Sequence, residues 1–149
     1  MPLPVSLREV VGEMDAVLEA WTPYINRVTG EILTLPDEAS DVADEFEEDL
    51  ARVAASDDFI VLPGKFEIHE YRVMQSFVED CQSDKVRAAL GRAIEGRGAF
   101  RRFKDLAQDL GVVEQWYRSK ERQIGDIAAA FLQENEIAYK DDLAESLKP

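Results

Sequence analysis

Two glycines enclose an arginine at Gly96-Arg97-Gly98. Apolar residues at helical spacing run up to this triplet and away from it again. A chain with that pattern has to end one helix and start the next at a sharp angle, because glycine alone enters the left-handed region at little cost. Upstream, residues 84–94 bring Val86, Ala89, Leu90, Ala93 and Ile94 to one face, with Ser83 placed to cap. Downstream, residues 99–110 gather Phe100, Phe103, Leu106, Ala107 and Leu110 in one sector, and Gly111 stops them. A longer pattern over residues 113–135 carries Val113, Trp116, Tyr117, Ile124, Ile127, Ala128 and Phe131. Tyr71, Met74, Phe77, Val78 and Cys81 mark one more helix over residues 67–80, so the C-terminal half reads as all-helical.

The N-terminal half has a different period. Leu7, Val10, Val11, Met14 and Leu18 predict a helix over residues 5–18, with Ser6 as its cap. Two runs rich in β-branched and aromatic residues, 21–27 and 31–35, flank a turn at Val28-Thr29-Gly30 and predict a β-hairpin. An acidic amphipathic helix is expected over residues 38–55, with Val42, Phe46, Leu50 and Val53 as its stripe. Phe59-Ile60-Val61-Leu62, ended by Pro63-Gly64, reads as a third short strand. The expected architecture is α+β: a small three-stranded antiparallel sheet packed with five or six helices. A single globular domain is expected over residues 1–142, with a flexible tail at 143–149.

Composition narrows the function. The chain has 149 residues and a net charge of −14. That charge disfavours non-specific nucleic-acid binding, since phosphates are repelled. Charge is also segregated: residues 1–84 hold 20 Asp+Glu against 5 Lys+Arg, whereas residues 85–122 hold 10 basic residues against 5 acidic. The basic stretch either compensates the acidic half or meets an anionic partner. A single cysteine, Cys81, forms no intrachain disulfide and fits a reducing cytoplasm. No signal peptide and no membrane span are expected.

Several residues taken in order resemble a bacterial family known only as uncharacterised protein family 0158. They include Tyr24-Ile25, Thr29-Gly30-Glu31-Ile32, Leu62-Pro63, and Met74 with Phe77. The most specific block is Gly96-Arg97-Gly98-Ala99-Phe100-Arg101-Arg102-Phe103-Lys104-Asp105, followed by Trp116-Tyr117 and Glu134-Asn135-Glu136-Ile137-Ala138-Tyr139. The similarity spans about residue 5 to residue 142. After Trp-Tyr the family pattern continues with an aromatic, an arginine and acids. Here Ser119 stands for the aromatic, Lys120 replaces the arginine and Arg122 reverses a charge. The resemblance implies a fold family and carries no established activity over to this chain.

The candidate binding residues are Arg97, Gly98, Arg101, Arg102, Lys104, Trp116 and Lys120. The free amides at the start of the helix over residues 99–110, with Arg97, Arg101 and Arg102 close by, suit an anion. The opposing expectation is structural: Phe100 and Phe103 in the core, and the arginines paired to carboxylates such as Asp105. Lys120 sits in the middle of an apolar face and must snorkel or pair. Gly96-Arg97-Gly98 is no dinucleotide loop, because Arg101 stands where the third glycine belongs and a helix precedes it. His69 is the one histidine and is expected at a helix start. With Cys81 it cannot complete a standard zinc site within one chain, and no catalytic residue, metal or cofactor is expected. The expected role is a non-enzymatic interaction or adaptor-like module, binding a protein partner or itself. The alternative is RNA or nucleotide binding by the same arginines.

Overall fold

A computed structural model describes residues 4–16, 20–64 and 69–143. The fold is α+β. Among the described residues there are six α-helices, a three-stranded antiparallel sheet and a short parallel strand pair. The chain divides into two compact units. The first comprises residues 1–67 and 124–142, the second residues 68–123 and 143–149. Of the expected tail, residues 144–149 lie outside the described residues.

In the first unit, β1 (Val5–Ser6) pairs in parallel with β5 (Tyr139–Lys140), and the Val5 amide donates to Ala138 O at 2.9 Å. Helix α1 (Leu7–Ala16) follows directly, with Leu7, Val10, Val11 and Met14 buried. Ser6 caps it as expected, its Oγ accepting from the Glu9 amide at 3.2 Å. A second cap comes from far along the chain. Asp142 accepts from the Ser6 hydroxyl at 2.5 Å and from the Arg8 amide at 2.8 Å. The helix expected from residue 5 therefore starts two residues later, because Val5 and Ser6 are drawn into a strand. Of its expected end, residues 17–18 lie outside the described residues.

Strands β2 (Trp21–Asn26) and β3 (Ile32–Pro36) form the expected hairpin, in register Ile25↔Ile32 to Trp21↔Pro36. Asn26 builds its turn: Oδ1 accepts from the Val28 and Thr29 amides at 2.9 and 3.0 Å. Strand β4 (Phe59–Val61) pairs antiparallel with the other edge of β2, giving the order β3-β2-β4. Pro23 stands in this central strand, where proline is disfavoured. Its carbonyl accepts from the Leu62 amide at 2.9 Å, so its nitrogen also faces β4, at the point where that strand ends. The missing donor falls at the end of the ladder.

The acidic segment after β3 departs from expectation. Residues 38–42 are turn, Ala43–Phe46 form a 3₁₀ turn, and α2 spans only Glu47–Ala55. Asp37 Oδ1 takes the Ala39 amide at 3.0 Å and Ser40 Oγ takes the Val42 amide at 3.3 Å. Such bonds offer the backbone an alternative to helix. Asp37, Asp41, Glu45 and Asp49 would also repel one another at four-residue spacing. No residue of α2 is fully buried.

In the second unit, α3 (Glu70–Asp80), α4 (Asp84–Ala93), α5 (Ala99–Asp109) and residues 113–123 of α6 (Val113–Glu134) follow one another. Residues 67–68, expected in α3, lie outside the described residues. His69 stands exposed at the N-terminus of α3, with φ 51°. Ser83 caps α4 through its Oγ and the Val86 amide at 3.3 Å. Phe77, Phe103 and Trp116 meet edge to face, with ring centroids 4.8–6.0 Å apart. Edge-to-face pairs each add about 0.5–1.5 kcal/mol beyond area burial. The remaining half of α6 belongs to the first unit, where Ile124, Ala128 and Leu132 are buried.

Candidate functional site

The Gly96–Asp105 block joins α4 to α5 through two left-handed glycines, Gly96 (φ 76°) and Gly98 (φ 75°). The end of α4 leaves carbonyls without intrahelical partners. Arg102 closes them. Its Nε donates to Ala93 O at 3.1 Å, and its two terminal nitrogens donate to Arg97 O and Glu95 O. The Tyr71 hydroxyl adds a bond to Ile94 O at 3.0 Å. A Cβ on Gly98 would stand 3.1 Å from Arg102 Nη1, so this glycine also leaves room for the guanidinium. Arg102 is thus bound to backbone carbonyls of its own turn. Neither a carboxylate nor an open docking position accounts for it.

The neighbouring cations have a different fate. Arg97, Arg101 and Lys104 are exposed and make no ion pair among the described residues, and the available Arg101–Asp105 pair is not formed. Helix geometry separates the two adjacent arginines. At about 100° per residue, Arg102 lies on the flank that reaches back to α4, while Arg101 faces opposite the buried Ala99–Phe103–Ala107 stripe. Phe100 was expected in the core, but its side chain is 43% exposed. It lies at the edge of the buried stripe, one helical turn from Lys104. Tyr117, also expected on a buried face, is 53% exposed. Sequence reasoning missed both exposed rings. Their angular offset from Phe103 and Trp116 was the available signal.

Trp116 is only 3% exposed and belongs to the ring cluster, so it presents no surface to a partner. Its buried Nε1 has no hydrogen-bond acceptor among the described residues. Lys120 is half-buried on α6 and engaged. Gly98 enters as a backbone position, with no side-chain cap on α5. Helix geometry sets Phe100, Arg101 and Lys104 at neighbouring exposed positions of α5, and Arg97 is exposed in the turn before it. Arg102 stays exposed but is committed to the carbonyls of the turn, and Trp116 is buried.

Elsewhere, Cys81 and the Arg52–Glu31 pair serve the scaffold. Cys81 is buried, its thiol bonding Phe77 O at 3.4 Å, and burial pushes its pKa up. Arg52 holds Glu31 at 2.6 Å and Asp49 at 3.3 Å, and the guanidinium lowers the Glu31 pKa. Among the described residues, no group of three or more His, Cys, Asp or Glu side chains is placed to hold a metal ion. No helix there is long and apolar enough to cross a membrane.

A basic helix-to-helix turn in an acidic α+β chain defines the class. The chain belongs to the Uncharacterised protein family (UPF0158), whose family model matches residues 1–149. No curated protein and no solved structure matches it.

Proposed function

We propose that the chain is a non-enzymatic interaction module that docks an anionic surface of a partner protein on Arg97, Arg101 and Lys104, with Phe100 as the apolar contact. One observation carries this reading. These three cations are left without an ion pair among the described residues of a chain holding 31 acidic side chains. Exposed cations beside an aromatic ring suit an interface, where arginine and aromatic residues are enriched. A cytoplasmic setting, with its single thiol reduced, belongs to the same reading.

The Phe100 ring also favours a second reading, single-stranded RNA, because bases stack on exposed rings beside arginine. The net charge of −14 weighs against it. One experiment separates them. The tagged chain and its Arg101→Glu/Lys104→Glu variant are used for co-purification with mass spectrometry, and both are titrated with a labelled oligouridylate. The module reading expects a protein that elutes near about 0.5 M salt and is absent from the variant. Identical captured proteins for both chains would sink it. Tight oligouridylate binding that falls steeply with salt and disappears in the variant would establish RNA in its place.

A further inference from the structure

The first unit has a recess that the docking surface above does not use. Between α2 and the end of the β2–β3 hairpin lies a groove of about 560 Å³, lined by Trp21, Tyr24, Pro36, Leu50 and Val53. That volume is within the range of ligand-binding clefts. An amphipathic helix normally buries its apolar stripe against the core. In α2, Leu50 and Val53 stay half-exposed, and no residue of the helix is fully buried. The apolar face is therefore only partly covered, and Leu50 and Val53 line the groove beside the polar Thr22, Asp37 and Glu38.

The surroundings of the groove select its occupant. Asp37 and Glu38 stand at its lining, and Asp44, Glu45, Glu47, Glu48 and Asp49 follow along the same segment. The one basic residue there, Arg52, is taken by Glu31 and Asp49. The first unit as a whole carries 21 acidic residues against 5 basic. A second copy of the chain brings a net −14 and is repelled at long range. An apolar segment bordered by positive charge gains on both counts.

We infer that this groove docks a basic amphipathic segment of a partner protein, with apolar side chains against Trp21, Tyr24, Leu50 and Val53 and flanking lysines or arginines facing Asp37 and Glu38. Helix-in-groove recognition of this kind uses apolar anchors at helical spacing. Electrostatic complementarity at the rim sets orientation and on-rate. The inference stands independently of the Arg97–Arg101–Lys104 surface, which lies in the other unit.

The test uses the whole chain and three synthetic 14-residue probes: a helical leucine–lysine peptide, its leucine–glutamate sibling, and oligolysine. The leucine–lysine peptide is expected to bind at least about tenfold more tightly than either control, since leucine anchors and charge are both needed. Binding is expected to change the Trp21 fluorescence and to lose that change in Trp21→Phe. Leu50→Lys, checked for folding by circular dichroism, is expected to weaken binding at least about tenfold. If Leu50→Lys does not fold, Asp37→Asn/Glu38→Gln replaces it. That variant alters only exposed carboxylates and is expected to weaken binding about three- to tenfold. Arg101→Glu/Lys104→Glu is expected to bind the peptide no more weakly than the parent chain. Absence of leucine–lysine binding, equal binding of oligolysine, or indifference to the groove variants would overturn the inference. A concentration-dependent dimer abolished by Leu50→Lys would overturn it too, assigning the groove to a second copy.

Discussion

Replacing Arg102 with alanine removes one side chain and leaves three carbonyls, those of Ala93, Glu95 and Arg97, without their donors. Each hydrogen bond is solvent-accessible, so a net value of about 0.5–1.5 kcal/mol applies to each. Together they offer about 1.5–4.5 kcal/mol. Against this stands the rotamer entropy of fixing an arginine, at most about 2 kcal/mol. The expected loss is about 1–2 kcal/mol, or a fall in Tm of about 2–8 °C at this chain length. Arg102→Lys should recover less than half, because an ammonium cannot span three carbonyls as a planar fork does. Arg101→Ala, one residue away, should stay within about 0.5 kcal/mol, as expected for an exposed side chain without a partner. Urea unfolding followed by circular dichroism measures all three. Equal losses for Arg101→Ala and Arg102→Ala, or a Lys variant as stable as the parent, would refute the division of labour between these two arginines.

Two further outcomes follow from helix ends. Asp142 caps α1, and the Ser6 hydroxyl, then the Arg8 amide, hold its carboxyl below the usual carboxylate pKa. A lowered folded-state pKa stabilises above the unfolded value of about 3.9 and is lost as pH falls through the folded value. Asp142→Asn should therefore cost about 0.5–1 kcal/mol at pH 7 and converge with the parent chain in acid; a difference independent of pH would contradict the assignment. At the other end of the chain, α6 closes with Ile137 N bonded to Leu132 O at 2.9 Å and Glu136 N to Gln133 O at 3.1 Å. Glu136 there takes φ 57°, a position suited to glycine, and sets a negative charge at a helix C-terminus. Glu136→Gly should raise stability by about 0.5–1 kcal/mol in the same urea assay, and a destabilised variant would show that the side chain is held by contacts of its own.

Local patterns were legible where the cause is local. The hairpin could be read because Asn26 and Gly30 build its turn within five residues, and the third strand because Pro63-Gly64 ends it. Ser6 and Ser83 could be read as caps for the same reason. The β1–β5 pair could not be foreseen, since Val5 and Tyr139 are distant in sequence and each strand is two residues long. The start of α2 was misplaced because hydrophobic spacing is blind to Asp37 and Ser40 bonding their own backbone. At the candidate site, the sequence displays a row of cations but not their partners. Arg101 and Arg102 look alike in a string and differ by one helical step in space. Trp116 was placed on the correct helix, yet its burial depends on Phe77 and Phe103 from two other helices.

The division of the chain has a consequence for synthesis. Residues 68–123 form one uninterrupted stretch of the second unit, whereas the first unit is split and needs Tyr139 and Asp142 beside Val5, Ser6 and Arg8. As the polypeptide leaves the ribosome, the later-encoded helices can settle while the earlier-made N-terminal portion still lacks its closing strand. Val5, Ser6 and Arg8 thus reach their final place only after Tyr139 and Asp142, more than 130 residues further on, have been translated.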